Sequence, residues 1–121
     1  MTENQSFCID IISLLPIGST CFIQAPHFEN SKILNLMTPS KFVYYSQIKL
    51  TELNKKFLRE EMISNNIQEE FQSIEIRFNN KLLFEGFDGM EFGLISNTIV
   101  LPNWFIDKHI KTDKCAISQE W

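Results

Sequence analysis

The side chains able to do chemistry are few and scattered. Cys8, Cys21 and Cys115 form no C-x-x-C pair, and His27 and His109 have neither an H-x-x-x-H partner nor a cysteine nearby. Zinc and redox sites are built from such clusters. Cys8 and Cys21 lie in apolar runs, which predicts buried, unreactive thiols and leaves Cys115 as the one open to a reagent. Carboxylates occur in adjacent pairs, Glu60-Glu61 and Glu69-Glu70. Acid–base catalysis needs two carboxyl groups in contrasting surroundings across a cleft, whereas neighbours on an amphipathic helix both face water. The glycines of "LFEGFDGMEFG" (83–93) read G-x-x-G-x-x-x-G with no G-K-[ST] after them. Glu85, Asp88 and Glu91 would repel a phosphate there. Their spacing of three residues also misses the alternating oxygen ligands of a calcium loop. The expectation is a protein without catalytic residues, metal or small-molecule cofactor.

These residues must be positioned by a chain of 121 residues that is 44% apolar and holds eleven phenylalanines, enough for one packed core. No repeat, low-complexity tract or Pro/Gly/Ser-rich linker divides it, so a single domain over 1–121 is expected. Apolar residues at 7, 8, 11, 12, 14 and 15 have helical spacing, and Pro16 and Gly18 end that helix. "TCFIQA" (20–25) predicts a strand, "SKILNLM" (31–37) a second before a Thr38-Pro39 turn, and "KFVYYSQIKL" (41–50) a third. From Thr51, read as the N-cap, the period turns helical, with Leu53, Phe57, Leu58 and Met62 along one side. Asn65-Asn66 breaks this helix, and "IQEEF" adds one more turn.

The second half alternates as strands do. "SIEIRF" (73–78), an Asn79-Asn80 turn, "KLLFEGF" (81–87), an Asp88-Gly89 type I′ turn, "MEFGLIS" (90–96), a turn near Ser96-Asn97 and "TIVLP" (98–102) predict a four-stranded antiparallel meander over 73–101. Two-residue turns set Phe78 opposite Lys81, Phe87 opposite Met90, Gly93 opposite Phe84 and Gly86 opposite Glu91. One face then collects Ile74, Ile76, Phe78, Leu83, Phe87, Met90, Phe92, Leu94, Ile99 and Leu101. Phe84 can lie across the gap that Gly93 leaves. "NWFIDKHI" (103–110) reads as a short helix capped by Asn103, with His109 near its end, and the tail to Trp121 as loosely ordered. The fold class is therefore α+β: an antiparallel sheet of at least four strands with helices packed on one face.

The start "MTENQSFCIDIISLLPIGS" lacks the basic head and continuous apolar run of a secretion signal, and no stretch reaches the roughly 18 to 20 apolar residues that cross a bilayer. With unpaired thiols this predicts a cytoplasmic protein with no membrane partner. Lys55, Lys56 and Arg59 flank Phe57, but Phe57 belongs to the apolar side of its helix and the net charge is −4, so nucleic acid is not an expected partner. The negative charge is unevenly spread. Residues 60–91 carry eight acids against two bases, and the rest seven acids against nine bases. An acidic block of this kind solubilises a face or meets a positively charged protein.

Small, acidic, cytosolic and free of catalytic motifs, the chain resembles the immunity proteins of bacterial toxin–immunity pairs, those of contact-dependent growth inhibition in particular. The segments that carry the likeness are "EEMISNNIQEEF" and "LLFEGFDGMEFGLIS". The resemblance implies a cytoplasmic antidote whose partner is the cognate toxin domain, often a nuclease, with no activity of its own. Nucleases are basic because they hold phosphate, so an acidic inhibitor suits them. Asp88 at the turn tip is then the first partner-binding candidate, followed by Glu60, Glu61, Glu69, Glu70, Glu85 and Glu91. The alternative is a small cytosolic accessory or ligand-binding domain without catalysis.

Overall fold

In the computed structural model, which describes residues 1–121, the first helix, α1 (Glu3–Leu14), starts with a reciprocal capping box between Thr2 and Gln5. This arrangement satisfies two of the orphan amides of the first turn. Its last turn contains no base. The carbonyls of Ser13 and Leu15 are met instead by the ammonium of Lys55, which reaches across from the helix α3 (Glu52–Asn65). Lys55 is thereby buried while Leu53, expected inside, is exposed. Burial and the nearby Arg59 both lower the Lys55 pKa from its ordinary value. At the far end of α3, Asn66 adopts a left-handed conformation (φ 50°) and stops the helix, and a single 3₁₀ turn, Ile67–Glu70, follows. Asn tolerates this conformation better than most residues.

Seven strands form one sheet: β1 (Thr20–Gln24), β2 (Thr38–Pro39), β3 (Ser46–Lys49), β4 (Ser73–Phe78), β5 (Lys81–Phe87), β6 (Phe92–Ser96) and β7 (Cys115–Ser118), ordered β2-β3-β1-β4-β5-β6-β7. All pairs are antiparallel except β6–β7. Cross-strand partners share a face. One row holds Ile48, Cys21, Ile76, Phe84 and Ile95, and the next Ile23, Ile74, Gly86, Gly93 and Cys115. The apolar members of both rows belong to the same buried cluster as Phe7, Cys8, Ile11 and Ile12 of α1 and Leu58 and Met62 of α3.

The expected α+β class, dominated by antiparallel pairing, is what forms, but several elements differ. "SKILNLM" is not a strand: the Asn30 side chain accepts from Ile33 N at 3.1 Å and caps a helical turn, α2 (Ser31–Leu34). Of "KFVYYSQIKL" only Ser46–Lys49 pairs, because residues 40–45 close into a loop around the Ser40 hydroxyl. Thr38-Pro39 is an edge bridge to β3 rather than a turn. The meander has three strands, not four. After Ser96 the chain turns and runs to a helix, with Val100 91% exposed. The sheet continues instead with the tail, whose residues 115–118 form β7. A parallel neighbour needs a crossover. α4 (Asn103–Phe105), running on into a π-helical turn Ile106–Ile110, lies between the two strands. Pro102, not Asn103, is its N-cap.

The register also shifts. Phe78 faces Lys81 as expected, but a bulge between Ile76 and Arg77 leaves Leu83 without a partner. After the bulge the inward positions become Phe84 and Gly86. The Asp88-Gly89 connection is a wider loop, closed by Glu91 N donating to Phe87 O at 2.9 Å. Phe87 therefore faces Phe92, and Gly86 faces Gly93. Met90, at φ 69°, folds back into the core, where its sulfur occupies the space beside Gly86. The Phe84 ring does lie over Gly93, diagonally, with Phe7 beside it.

Candidate functional site

Three loops leave the same end of the sheet, the row Gln24, Ser73, Phe87 and Phe92. Their backbones hold one another. Gln72 N donates to Gln24 O at 2.9 Å, Asp88 N to Gln72 O at 3.0 Å and Gly89 N to Phe71 O at 2.7 Å. The Phe71 ring is buried against Phe28, with centroids 5.7 Å apart, which fixes residues 25–30 to the same end. Gly89 permits the closure: its φ is +68°, and a Cβ there would stand 3.2 Å from the Glu69 carbonyl oxygen.

This end carries exposed acids from all three loops: Glu29, Glu69, Glu70, Asp88 and Glu91. Glu91 accepts from Asn4 at the start of α1 at 3.0 Å, and Glu69 accepts from Asn66. Glu29 shares a depression of about 280 Å³ with His27, Glu69 and Glu70. It was missed in the sequence because it lies outside the acidic block, and only the folding of 25–30 onto Phe71 brings it in.

The remaining candidates do not join this group. Glu60 is exposed on α3. Glu61 is buried, accepting from Asn65 at 2.8 Å and Asn30 at 3.3 Å, with Lys32 3.5 Å away. The Asn30 amide, helped by Asn65 and Lys32 and opposed by burial, holds the Glu61 carboxyl below its usual range. Its charge is engaged within the fold. Glu85 is half-buried mid-sheet, directly opposite Glu75. Desolvation first, then the Glu75 charge, raise its pKa against the pull of Arg77. Arg77 itself is bonded to Glu75 at 3.2 Å.

The opposite end of the sheet, the row Lys49, Thr20, Arg77 and Leu82, has the reverse charge. Lys49 and Lys81 are exposed there, Lys41 reaches Asn80 at 3.4 Å, and Lys56 projects from the first half of α3 beside the one exposed acid of this group, Glu52. The acidic end is not free of bases: Lys114 bonds Asn4, which also donates to Glu91, and Lys108, which lines the same depression by the start of α1, is engaged by Asp10 at 2.8 Å.

Of the cysteines and histidines, only His27 is exposed. Cys8, Cys21 and also Cys115 are buried, and burial raises each thiol pKa, that of Cys115 to about 12. The expectation that Cys115 alone is open fails because β7 buries it opposite Gly93. His109, placed by the sequence near the end of its helix, is buried between the rings of Phe7 and Phe105, with Nε2 2.7 Å from the Asp10 carboxylate. The signal for it was Asp10 itself, a charge interrupting an apolar helix face. No group of three His, Cys, Asp or Glu side chains is arranged to hold a metal ion, and no helix is long and apolar enough to cross a membrane. No family model, curated protein or solved structure matches the chain.

Proposed function

We propose that the protein is a cytoplasmic immunity protein that binds and neutralises a cognate, basic bacterial toxin domain of the nuclease type. It acts by occupancy, with no catalysis and no cofactor of its own. The observation that carries this reading is the convergence of Glu29, Glu69, Glu70, Asp88 and Glu91 at one sheet end, on loops tied together by backbone hydrogen bonds. Fixed acids on braced loops complement a positive, phosphate-binding surface without a large ordering cost on association. In this reading α1 and α3 cover one face of the sheet as a rigid support, and Glu61 and Glu85 serve the fold rather than the partner.

The test is whether a neighbouring reading frame encodes a secreted toxin domain and, if it does, co-expression with that domain. Protection of the host, and a stable complex of the two purified chains, are the expected results. A toxin domain that stays lethal and uncomplexed beside the folded protein contradicts the proposal. A small molecule retained through purification and detected by native mass spectrometry would favour the ligand-binding alternative.

A further inference from the structure

Gly86 and Gly93 face each other in the same row as Ile23, Ile74 and Cys115 of the buried cluster. Their chain neighbours Phe87 and Phe92, themselves a cross-strand pair, therefore point to the other side of the sheet. Neither ring belongs to the cluster or packs against it, and the same holds for Leu94 on that side. Phe92 is 38% exposed and Phe87 is half-buried. The solvent side of an antiparallel sheet ordinarily carries polar residues, so an aromatic pair there is a departure to be explained.

Part of this side is covered from within. The Phe42 ring packs edge-on at 4.9 Å against Phe22, which points the same way, and Tyr45 Oη lies 2.9 Å from Ser73 Oγ. Ser73 is the cross-strand partner of Phe87. Beyond it Phe87 and then Phe92 continue the row toward β7. The charge around the pair is negative. Asp88 follows Phe87 and Glu91 precedes Phe92, both exposed, and Glu85 lies on the same side in the next row, paired with Leu94. The bases of the neighbourhood are engaged elsewhere. Arg77 is bonded to Glu75 at 3.2 Å and stands over the Phe42 ring, and Lys114, whose carbonyl accepts from Gly93 N at 3.2 Å, bonds Asn4.

We infer that the Phe87–Phe92 pair is the docking point for an arginine side chain of the basic partner, its guanidinium over the Phe92 ring and donating to Asp88 and Glu91. An exposed aromatic face bordered by carboxylates suits this group best, because a guanidinium stacks on the ring and still donates to the acids from its edge. An ammonium has no such plane. The inference deepens the function proposed above and rests on it for the partner's identity. It places the contact within the acidic end and predicts a preference for arginine over lysine.

The experiment titrates the isotope-labelled full chain with a hexa-arginine peptide and with hexa-lysine at low salt, following the backbone amides. The shifts should centre on residues 87–92, with the arginine peptide bound more tightly by about threefold or more. Phe92→Leu should abolish that preference and Phe92→Tyr should keep it, both folded, since the ring is exposed. Shifts centred on other acids, or a preference intact in Phe92→Leu, overturn the inference, and the wild-type shifts decide its location even where a variant melts low. A wild type that elutes as a dimer, with Phe92→Leu a monomer, gives the pair to a second copy and also overturns it. If the peptides behave as expected and no toxin domain is bound, the functional reading fails while the arginine site stands.

Discussion

At one end of the sheet the strands pass into loops bearing Glu29, Glu69, Glu70, Asp88 and Glu91; at the other they pass Lys49, Lys81 and the start of α3 with Lys56. The two ends are also closed differently. The basic end has a two-residue Asn79-Asn80 turn, both residues at positive φ, which pairs Phe78 with Lys81 and accepts one side-chain hydrogen bond, from Lys41 to Asn80 at 3.4 Å. The acidic end has no single tight turn. Its three loops are longer and are joined by backbone hydrogen bonds, whereas at the basic end such bonds join only the segments before β1 and after β3, Gly18 and Ser19 with Leu50. Strands of five to seven residues separate the ends, roughly 17 to 23 Å at about 3.3 Å per residue. That exceeds the Debye length of about 8 Å at physiological salt. A positively charged partner docked at the acidic end, as proposed, would therefore be hardly repelled by the basic one, while at longer range and lower salt the charge separation would turn the molecule toward a positive surface. Charge separated along a sheet can orient a partner without a large net charge.

The contrast in closure breaks first at Gly89. Gly89→Val meets both a positive φ and the Glu69 carbonyl, and should cost about 1 to 3 kcal/mol in denaturant unfolding. At the other end, Asn80→Gly keeps a turn that already has positive φ, and should change stability by less than about 1 kcal/mol, in the stabilising direction. Equal, small effects at both positions would mean that the acidic loops are not held by the 88–91 connection.

A smaller effect separates the acids that serve the fold from those at its end. The raised carboxyl of Glu85 means that its ionisation opposes folding at neutral pH. Glu85→Gln should stabilise at pH 7 by about 0.5 kcal/mol, the scale of a like-charge cross-strand pair. The gain should fade as the pH falls through the raised pKa and wild-type Glu85 takes up its proton. Glu61 has the opposite sign. Its ionised form favours folding, so its contribution is complete above the ordinary value of 4.5 and is lost as the pH falls through its lower folded value. Glu61→Gln should lower the melting temperature at pH 7 and flatten the acid limb of the stability curve. Melting curves from pH 3 to 7 with parallel slopes for the two variants would contradict these opposed roles.

Much of this was legible in the sequence because the signals were local. Thr51, Asn66 and the Asn79-Asn80 pair mark starts and stops through their own side chains or backbone preferences, and α3, β4 and β5 follow from them, while α1 follows from its apolar spacing and the Pro16-Gly18 stop. What was not legible depends on contacts distant in sequence. The bulge at Leu83 inverts the inward set of β5 after one residue, and alternation alone cannot reveal it. The tail became a strand because β6 had an open edge and α4 supplied a crossover, not through any strong propensity in "CAIS". "SKILNLM" lost its strand to a cap made by Asn30, a residue just outside the apolar run. For the candidate site, the acidic block was visible, but its division was not. Glu61 and Glu85 turned inward or mid-sheet, Glu29 joined from elsewhere, and Asp88 sits at the rim only because Gly89 docks on Phe71.

The most direct test of the proposal that the acidic end binds a partner is association kinetics, at low and physiological salt, with a basic toxin domain encoded beside this chain. Three proteins are compared: wild type, a variant with Glu69, Glu70, Asp88 and Glu91 reversed to Lys, and a control with Lys49, Lys56 and Lys81 reversed to Glu. The acidic-end variant should stay folded, associate more slowly, lose most of the salt dependence of its on-rate and bind more weakly by about 2 to 5 kcal/mol if the contacts are desolvated. The control should bind with unchanged affinity at physiological salt. Unchanged affinity and salt dependence in the folded acidic-end variant, or equal losses in both variants, would contradict the assignment.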